Sequence, residues 1–426
     1  MYRIRFALAA MLLFTCPLAV EAAVVDEIVI EGNKKTRTGI VRQELWLREG
    51  DEITQELIDK SRQSIMELGL FKKVDVVHRE EDGINRLVVT LNEKKHDWYI
   101  LPKLDRNADG DITLGINWRA NNLNGLNQNS KLVIAHKKYE GATEDEQYGI
   151  NWKFTYPRVV GTQFSAFTSI NAEQVNLDEE RDGEKGSYDR QEYSIALGVG
   201  RWFSPSGVSQ GLHASLGVQY QQYDHQLESG TAGFFDDVRQ INFLGEVSYR
   251  NVHDLLYSRK GYATGLLLKL ADDSLGSDRS YFHQYAFYRR YISLPWKEHT
   301  NFNFQVQLGS GNRSLFGDPI YDLSGQQTLR GYAREVLEGD AYMLVNTQFL
   351  TPIFGEKNLR AGVLFDFGNA YDSLSEFGEG GLESGFGVSL RWKLKQWVDT
   401  EIRLDYAEGL GDEGEGKFYV SGNAMF

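Results

Sequence analysis

Tyr193-Ser194-Ile195-Ala196-Leu197-Gly198-Val199 and His213-Ala214-Ser215-Leu216-Gly217-Val218-Gln219-Tyr220 alternate apolar residues with small or polar ones. Successive side chains of a strand point to opposite faces, so each stretch predicts a strand with one apolar and one polar face. The same reading extends to Ser165–Ile170, Gly265–Leu270, Phe302–Leu308, Leu359–Phe365 and Gly385–Trp392, with Gly-, Asn- and Asp-rich connections between them. From His96 to Phe426 the chain divides into about sixteen such units. That series, more than any one segment, predicts a transmembrane β-barrel over residues 96–426.

Composition agrees with this. Seven Pro stand against 43 Gly, and 22 Tyr, 23 Phe and 8 Trp supply residues suited to strands and to aromatic girdles. Mean hydropathy is −0.42 and a quarter of the residues are charged. No apolar run past the N-terminal segment reaches the length of a spanning helix, whereas barrel strands show lipid only every second residue and average out hydrophilic. A net charge of −14 argues against nucleic acid as a partner.

Residues 1–23 read as a secretory signal: Arg3 and Arg5, an apolar core from Phe6 to Phe14, then Ala19, Ala22 and Ala23. Cys16 is the one cysteine and lies inside it, so no disulfide or thiolate ligand is expected in the exported chain. The histidines show no ligand spacing, and Asp105–Asp111 starts like a calcium loop but has Ile116 where the closing Glu belongs. Gly207-Val208-Ser209-Gln210-Gly211 spells a nucleophile elbow without a following helix. No metal, cofactor or catalytic set is expected, and the chain reads as a non-enzyme.

Residues 24–95 switch period. Val24–Ile30 predicts a strand, and Gly32-Asn33 a turn. A helix capped by Thr36 or Thr38 is expected to carry Ile40, Val41, Leu45 and Leu47 inward and to end at Gly50-Asp51. A second helix capped by Thr54 is expected over Gln55–Leu68, followed by two strands joined at Glu81-Asp82-Gly83-Ile84. The order β-α-α-β-β, with Ile28–Asn33 as I-x-I-x-G-N and Leu68-Gly69-Leu70-Phe71 before the second strand, resembles a POTRA domain. That resemblance implies a periplasmic module that receives an unfolded client or a secreted partner by adding its backbone to an open sheet edge.

Within the long connection 313–340, Leu329-Arg330-Gly331-Tyr332 resembles the V/L-R-G-F/Y loop of the BamA/TamA superfamily of outer-membrane insertases and two-partner secretion transporters. In that family the loop folds into the barrel and its Arg meets an acid on the wall. Asp366, in Phe365-Asp366-Phe367-Gly368, matches the family's acid. Tyr249-Arg250-Asn251 to Gly261-Tyr262 and Asn346–Pro352 resemble further family stretches with departures: two prolines are missing, and Gln348 stands where Glu is common. The chain thus reads as a divergent member with one POTRA domain, set in outer-membrane lipid.

Pro102 sits inside the first barrel strand, Trp98–Leu104, where it removes a ladder donor. The chain ends on Phe418, Val420, Gly422, Ala424 and Phe426, an alternating last strand with a terminal aromatic. A seam between Pro102 and Phe426 is therefore expected to be weak. The function implied is insertion or secretion of protein substrates through that seam. The other reading is a solute channel or structural barrel without protein clients.

Overall fold

The computed structural model describes residues 23–106, 110–139, 146–203, 210–255, 257–312, 314–316, 319–394 and 400–422. The expected signal segment, apart from Ala23, and the terminal Phe426 lie outside these residues.

The N-terminal unit contains β1 (Glu27–Glu31), α1 (Thr38–Arg42), α2 (Gln55–Glu67), β2 (Phe71–Glu81) and β3 (Ile84–Glu93). Its sheet runs β1-β3-β2, with β1 parallel and β2 antiparallel to β3. Asp82 and Gly83 both take positive φ, the conformation of a tight hairpin turn. Thr54 caps α2, its hydroxyl accepting from the Leu57 amide at 3.3 Å. Ile58 and Ile65 of that helix pack on Val74, Val76, Leu87 and Val89 to make the core.

The first helix departs from expectation. It stops at Arg42 instead of reaching Leu47, and Arg37 occupies its cap position with no side-chain bond. Thr36 is committed elsewhere: its amide donates to Glu93 at 2.7 Å and its hydroxyl accepts from Asn122 at 2.9 Å. Beyond Arg42 the backbone tightens into short-range bonds, Glu44 to Val41 and Leu45 to Arg42. Ser61 of α2 then takes the Trp46 amide at 2.9 Å. Leu45 and Leu47 are still buried, so the hydrophobic pattern is satisfied without helix.

The second unit is a closed barrel of sixteen strands. In chain order they begin β4 (Trp98–Arg106), β5 (Ile112–Leu123), β6 (Gln128–Lys138), β7 (Glu146–Tyr156), β8 (Phe164–Arg181) and β9 (Glu184–Trp202). The wall continues with β10 (Gln210–Gly230), β11 (Val238–Leu255), β12 (Ser258–Ala271), β13 (Tyr281–Ser293) and β14 (Asn301–Gly311). Two short strands, β15 (Tyr321–Asp322) and β16 (Glu338–Gly339), pair within the long loop. The wall is completed by β17 (Ala341–Ile353), β18 (Glu356–Tyr371), β19 (Glu383–Leu394), β20 (Thr400–Gly409) and β21 (Gly416–Ser421).

Alternation decides which face is which. Ile195, Leu197 and Val199 of β9 and Leu212, Leu216 and Val218 of β10 are exposed, as lipid-facing residues must be in an isolated barrel. The intervening positions point inward. On β14 and β17 these are Asn301, Asn303, Gln305, Asn346 and Gln348, all buried.

Candidate functional site

Between β14 and β17 the loop does not leave the barrel. Leu323, Leu329, Tyr332 and Leu337 are buried against Tyr342 and Leu344 of the wall, with Tyr285 and Tyr321 packed beside them. This apolar patch fixes the loop, and the next residue carries its charge. Arg330 is fully buried, as are Asp366 on β18 and, to within 1%, Asp405 on β20.

Arg330 Nε donates to Asp366 Oδ2 at 2.6 Å and Nη2 donates to Oδ1 at 2.7 Å, a two-pronged match of guanidinium to carboxylate. Its Nη1 reaches Asp405 Oδ2 at 3.3 Å. Asn346 Nδ2 donates both to Asp366 Oδ1 at 2.9 Å and to the Thr328 carbonyl at 2.8 Å, so the wall holds the acid and the loop backbone with one amide. The carboxylate of Asp405 also accepts from Ser389 and from Arg391, each at 2.7 Å, and from Arg403 Nε. Arg403 Nη2 in turn donates to the Gln326 carbonyl at 3.1 Å. Arg360 and Glu401 extend the network at 3.1 Å. Unpaired charges in such a place would cost several kcal/mol each, which is why the cations and carboxylates interleave.

Backbone approach explains the glycines. Gly331 has φ of 96°. A Cβ there would strike the backbone of Glu408 and Gly409, and one on Gly385 would strike the Arg330 carbonyl. Into the space so left, the Gly331 amide donates to Tyr419 Oη at 2.9 Å and its carbonyl accepts from Glu415 at 2.8 Å. Tyr332 Oη donates to the Ser384 carbonyl at 2.8 Å. Farther along, Arg334 reaches Asp111, beside β5, at 3.3 Å. The loop is thus clasped chiefly by β17 to β21, with Arg334 reaching across to the start of β5.

The structure brings Leu329, Arg330, Gly331, Tyr332 and Asp366 together. Sequence reading missed Asp405, Arg391, Arg403 and Tyr419. A signal was present: Glu401-Ile402-Arg403-Leu404-Asp405-Tyr406 alternates charge with apolar residues, so three charges share the face opposite the lipid. Gln348, noted for replacing an acid, donates to Ser389 at 3.1 Å.

The other expected feature concerns the first and last strands. Pro102 lies in β4, exposed on the outer face, with Ile116 of β5 as register partner. The β4 strand is paired with β5 from Trp98 to Arg106. Toward β21, among the described residues, the one register pair is Val420 with Arg106.

The two units also meet. The Arg37 amide donates to the Gly125 carbonyl at 2.9 Å, Arg158 Nη1 donates to the Gln43 carbonyl at 3.2 Å, and His253 Nδ1 lies 2.7 Å from Glu67 Oε1. These contacts fall on the turn regions β5–β6, β7–β8 and β11–β12, all at one end of the barrel.

Residues 122–422 match the Omp85 superfamily domain. The chain belongs to the Omp85 superfamily. Residues 23–94 match a POTRA domain, described as the surface antigen variable number repeat. This Omp85 chain is an outer-membrane β-barrel protein, and among curated relatives it is 21% identical to the outer membrane protein assembly factor BamA of Nitratidesulfovibrio vulgaris. That match covers 94% of the chain but 51% of the relative, so the chain spans about half the length of the curated relative. Among solved structures, BamA from Haemophilus ducreyi lacking POTRA domains 1–3 aligns with a TM-score of 0.56 at 15% identity, over 93% of this chain and 83% of that one. CdiB from Acinetobacter baumannii aligns with a TM-score of 0.65 at 14% identity, over 94% and 73%. Both likenesses are of fold.

Proposed function

We propose that this Omp85 protein handles protein substrates at the outer membrane, inserting or secreting them, with the POTRA domain as the capture module and the β4–β21 seam as the exit. The observation that carries the reading is the thinness of that seam. Among the described residues, parting it forfeits one or two backbone hydrogen bonds, on the order of 1–2 kcal/mol, whereas parting any other neighbouring strands of the wall forfeits several times as much. Opening would expose the β4 edge from Trp98 to Asp105, a template onto which a client strand can pair with little regard to sequence.

The POTRA sheet supports the capture step. Its order leaves the outer edges of β1 and β2 without a strand partner inside the sheet, and Val77 on β2 is exposed. The domain joins the barrel at the end of the short turns, which in outer-membrane barrels is the periplasmic end, so we place it in the periplasm. In this reading the Arg330 clasp keeps the loop seated while the seam works, and the protein acts without covalent chemistry.

Photocrosslinking side chains placed at Val77 and Leu104 in cells test the reading. Capture of the same unfolded substrate at both positions supports it. Clean surfaces at both, with ordinary solute conductance through the barrel, would replace it with a channel.

A further inference from the structure

Away from the clasp, the wall formed by β5 to β7 carries a charge pattern of its own. Arg119 on β5 lies directly opposite Lys131 on β6, and Lys131 directly opposite Lys153 on β7. Each alternates with exposed apolar neighbours, Ile116, Ile134 and Ile150, so all three side chains face the lumen. They sit near the strand ends that join the β5–β6 and β7–β8 turns, just above the place where Asn122 and Gly125 meet the POTRA domain.

Nothing within the described protein neutralises this row. Arg119 has a long 3.4 Å contact with the neutral Asn117 amide oxygen, and none of the three forms an ion pair among the described residues. The row ends in neutral groups, Tyr99 opposite Arg119 and Ser169 opposite Lys153. Lys131 is half-buried, and besides Arg119 and Lys153 a further cation, Lys103 on β4, lies close enough to act on its charge. Like charges placed directly opposite weaken a sheet. The arrangement also runs against a composition of 60 acidic to 46 basic residues. In the clasp, by contrast, the arginines are interleaved with carboxylates. A row that costs the fold stability and stays unpaired is suited to an external anion.

Geometry narrows the anion. Neighbouring strands are about 4.8 Å apart, a spacing that lets one tetrahedral oxyanion accept from two adjacent cations at once. A guanidinium supplies a two-pronged match to phosphate and the ammonium groups supply point charges. We propose that Arg119, Lys131 and Lys153 form a phosphate-binding row on the luminal wall, taking the phosphate of a water-soluble solute or of a lipid headgroup. It does not rest on the handling of protein clients.

The test uses the full chain purified in detergent, titrated calorimetrically with inorganic phosphate and pyrophosphate, and in parallel reconstituted in nanodiscs with and without phosphatidylglycerol for native mass spectrometry of retained lipid. Expected is binding that R119Q/K131Q/K153Q weakens on the order of a hundredfold and K131R preserves. Titration by free phosphate identifies a solute, and retention of phosphatidylglycerol alone identifies a headgroup. K131Q by itself should lower affinity about tenfold while raising the thermal midpoint, because it removes both like-charge oppositions. That combination separates a ligand site from a structural one even if the triple variant fails to fold. Failure of wild type to bind either form overturns the proposal. So does equal binding by wild type and K131Q, or an acidic peptide that binds as tightly as pyrophosphate.

Discussion

Replacing Arg330 by Ala removes the one loop side chain that, among the described residues, enters the Asp366–Asp405 carboxylate cluster. The two carboxylates it leaves are not equally affected. Asp405 keeps Arg391, Arg403 and Ser389 as partners, while Asp366 retains the Asn346 amide and the long 3.4 Å bond from the backbone amide of residue 330, both neutral, and stays fully buried. Overall balance does not worsen, since Arg360, Arg391 and Arg403 then face Asp366, Asp405 and Glu401. The cost is therefore local to Asp366. Breaking a buried pair by removing one partner costs about 3–5 kcal/mol, and the retained Asn346 bond argues for the lower end. A loss of about 3 kcal/mol corresponds to roughly a hundredfold rise in the undocked loop population. Hydrogen exchange on peptides covering Leu323–Leu337 reads that population, with heat-modifiable gel migration reporting that the barrel is intact. R330A/D366A should recover much of the protection, because no buried charge is then orphaned. Protection in R330A within twofold of wild type would refute the account of the clasp.

Gly331→Ala should undock the same loop without touching a charge: positive φ costs an L-residue about 1–2 kcal/mol, and the methyl meets the Gly409 backbone, so exchange of Gly325–Tyr332 should accelerate at least tenfold while R330–D366 coupling by mutant cycle falls. Acid should loosen the POTRA turn. Burial works against the charge on Glu93, but the Thr36 and Lys35 amides that donate to it outweigh that and hold its carboxyl below the ordinary 4.5. Its contribution is thus full above the unfolded value and is lost as pH falls through the lower folded one. Protection factors at Lys35 and Thr36, taken relative to the intrinsic exchange rate at each pH, should fall on acidification from pH 5 to 3 in wild type, and should be low and flat with pH in E93Q.

The barrel was legible because lipid and lumen impose a period of two on every strand, as in Tyr193–Val199 and His213–Tyr220. Arg330 and Asp366 were legible through a motif on each. Asp405 was not: it belongs to no motif quoted, and its role arises because register sets Ser389 opposite Asp405 and Arg391 opposite Arg403, a tertiary fact. The shortened α1 was hidden for a related reason. Thr36 is a good cap residue by composition, but Asn122, far along the chain, claims its hydroxyl. The paired cations Arg119, Lys131 and Lys153 look like ordinary strand charges until strand pairing sets them side by side.

The seam is tested most directly by locking it. Val420 and Arg106 are antiparallel register partners, whose Cα separation of about 4.5–5.5 Å suits a disulfide. With Cys16 as the sole native cysteine, R106C/V420C can be oxidised selectively. The account predicts that, in cells, the oxidised barrel stops delivering the substrate crosslinked at Val77 and that a reductant restores delivery. Undiminished delivery through a fully oxidised seam would contradict it.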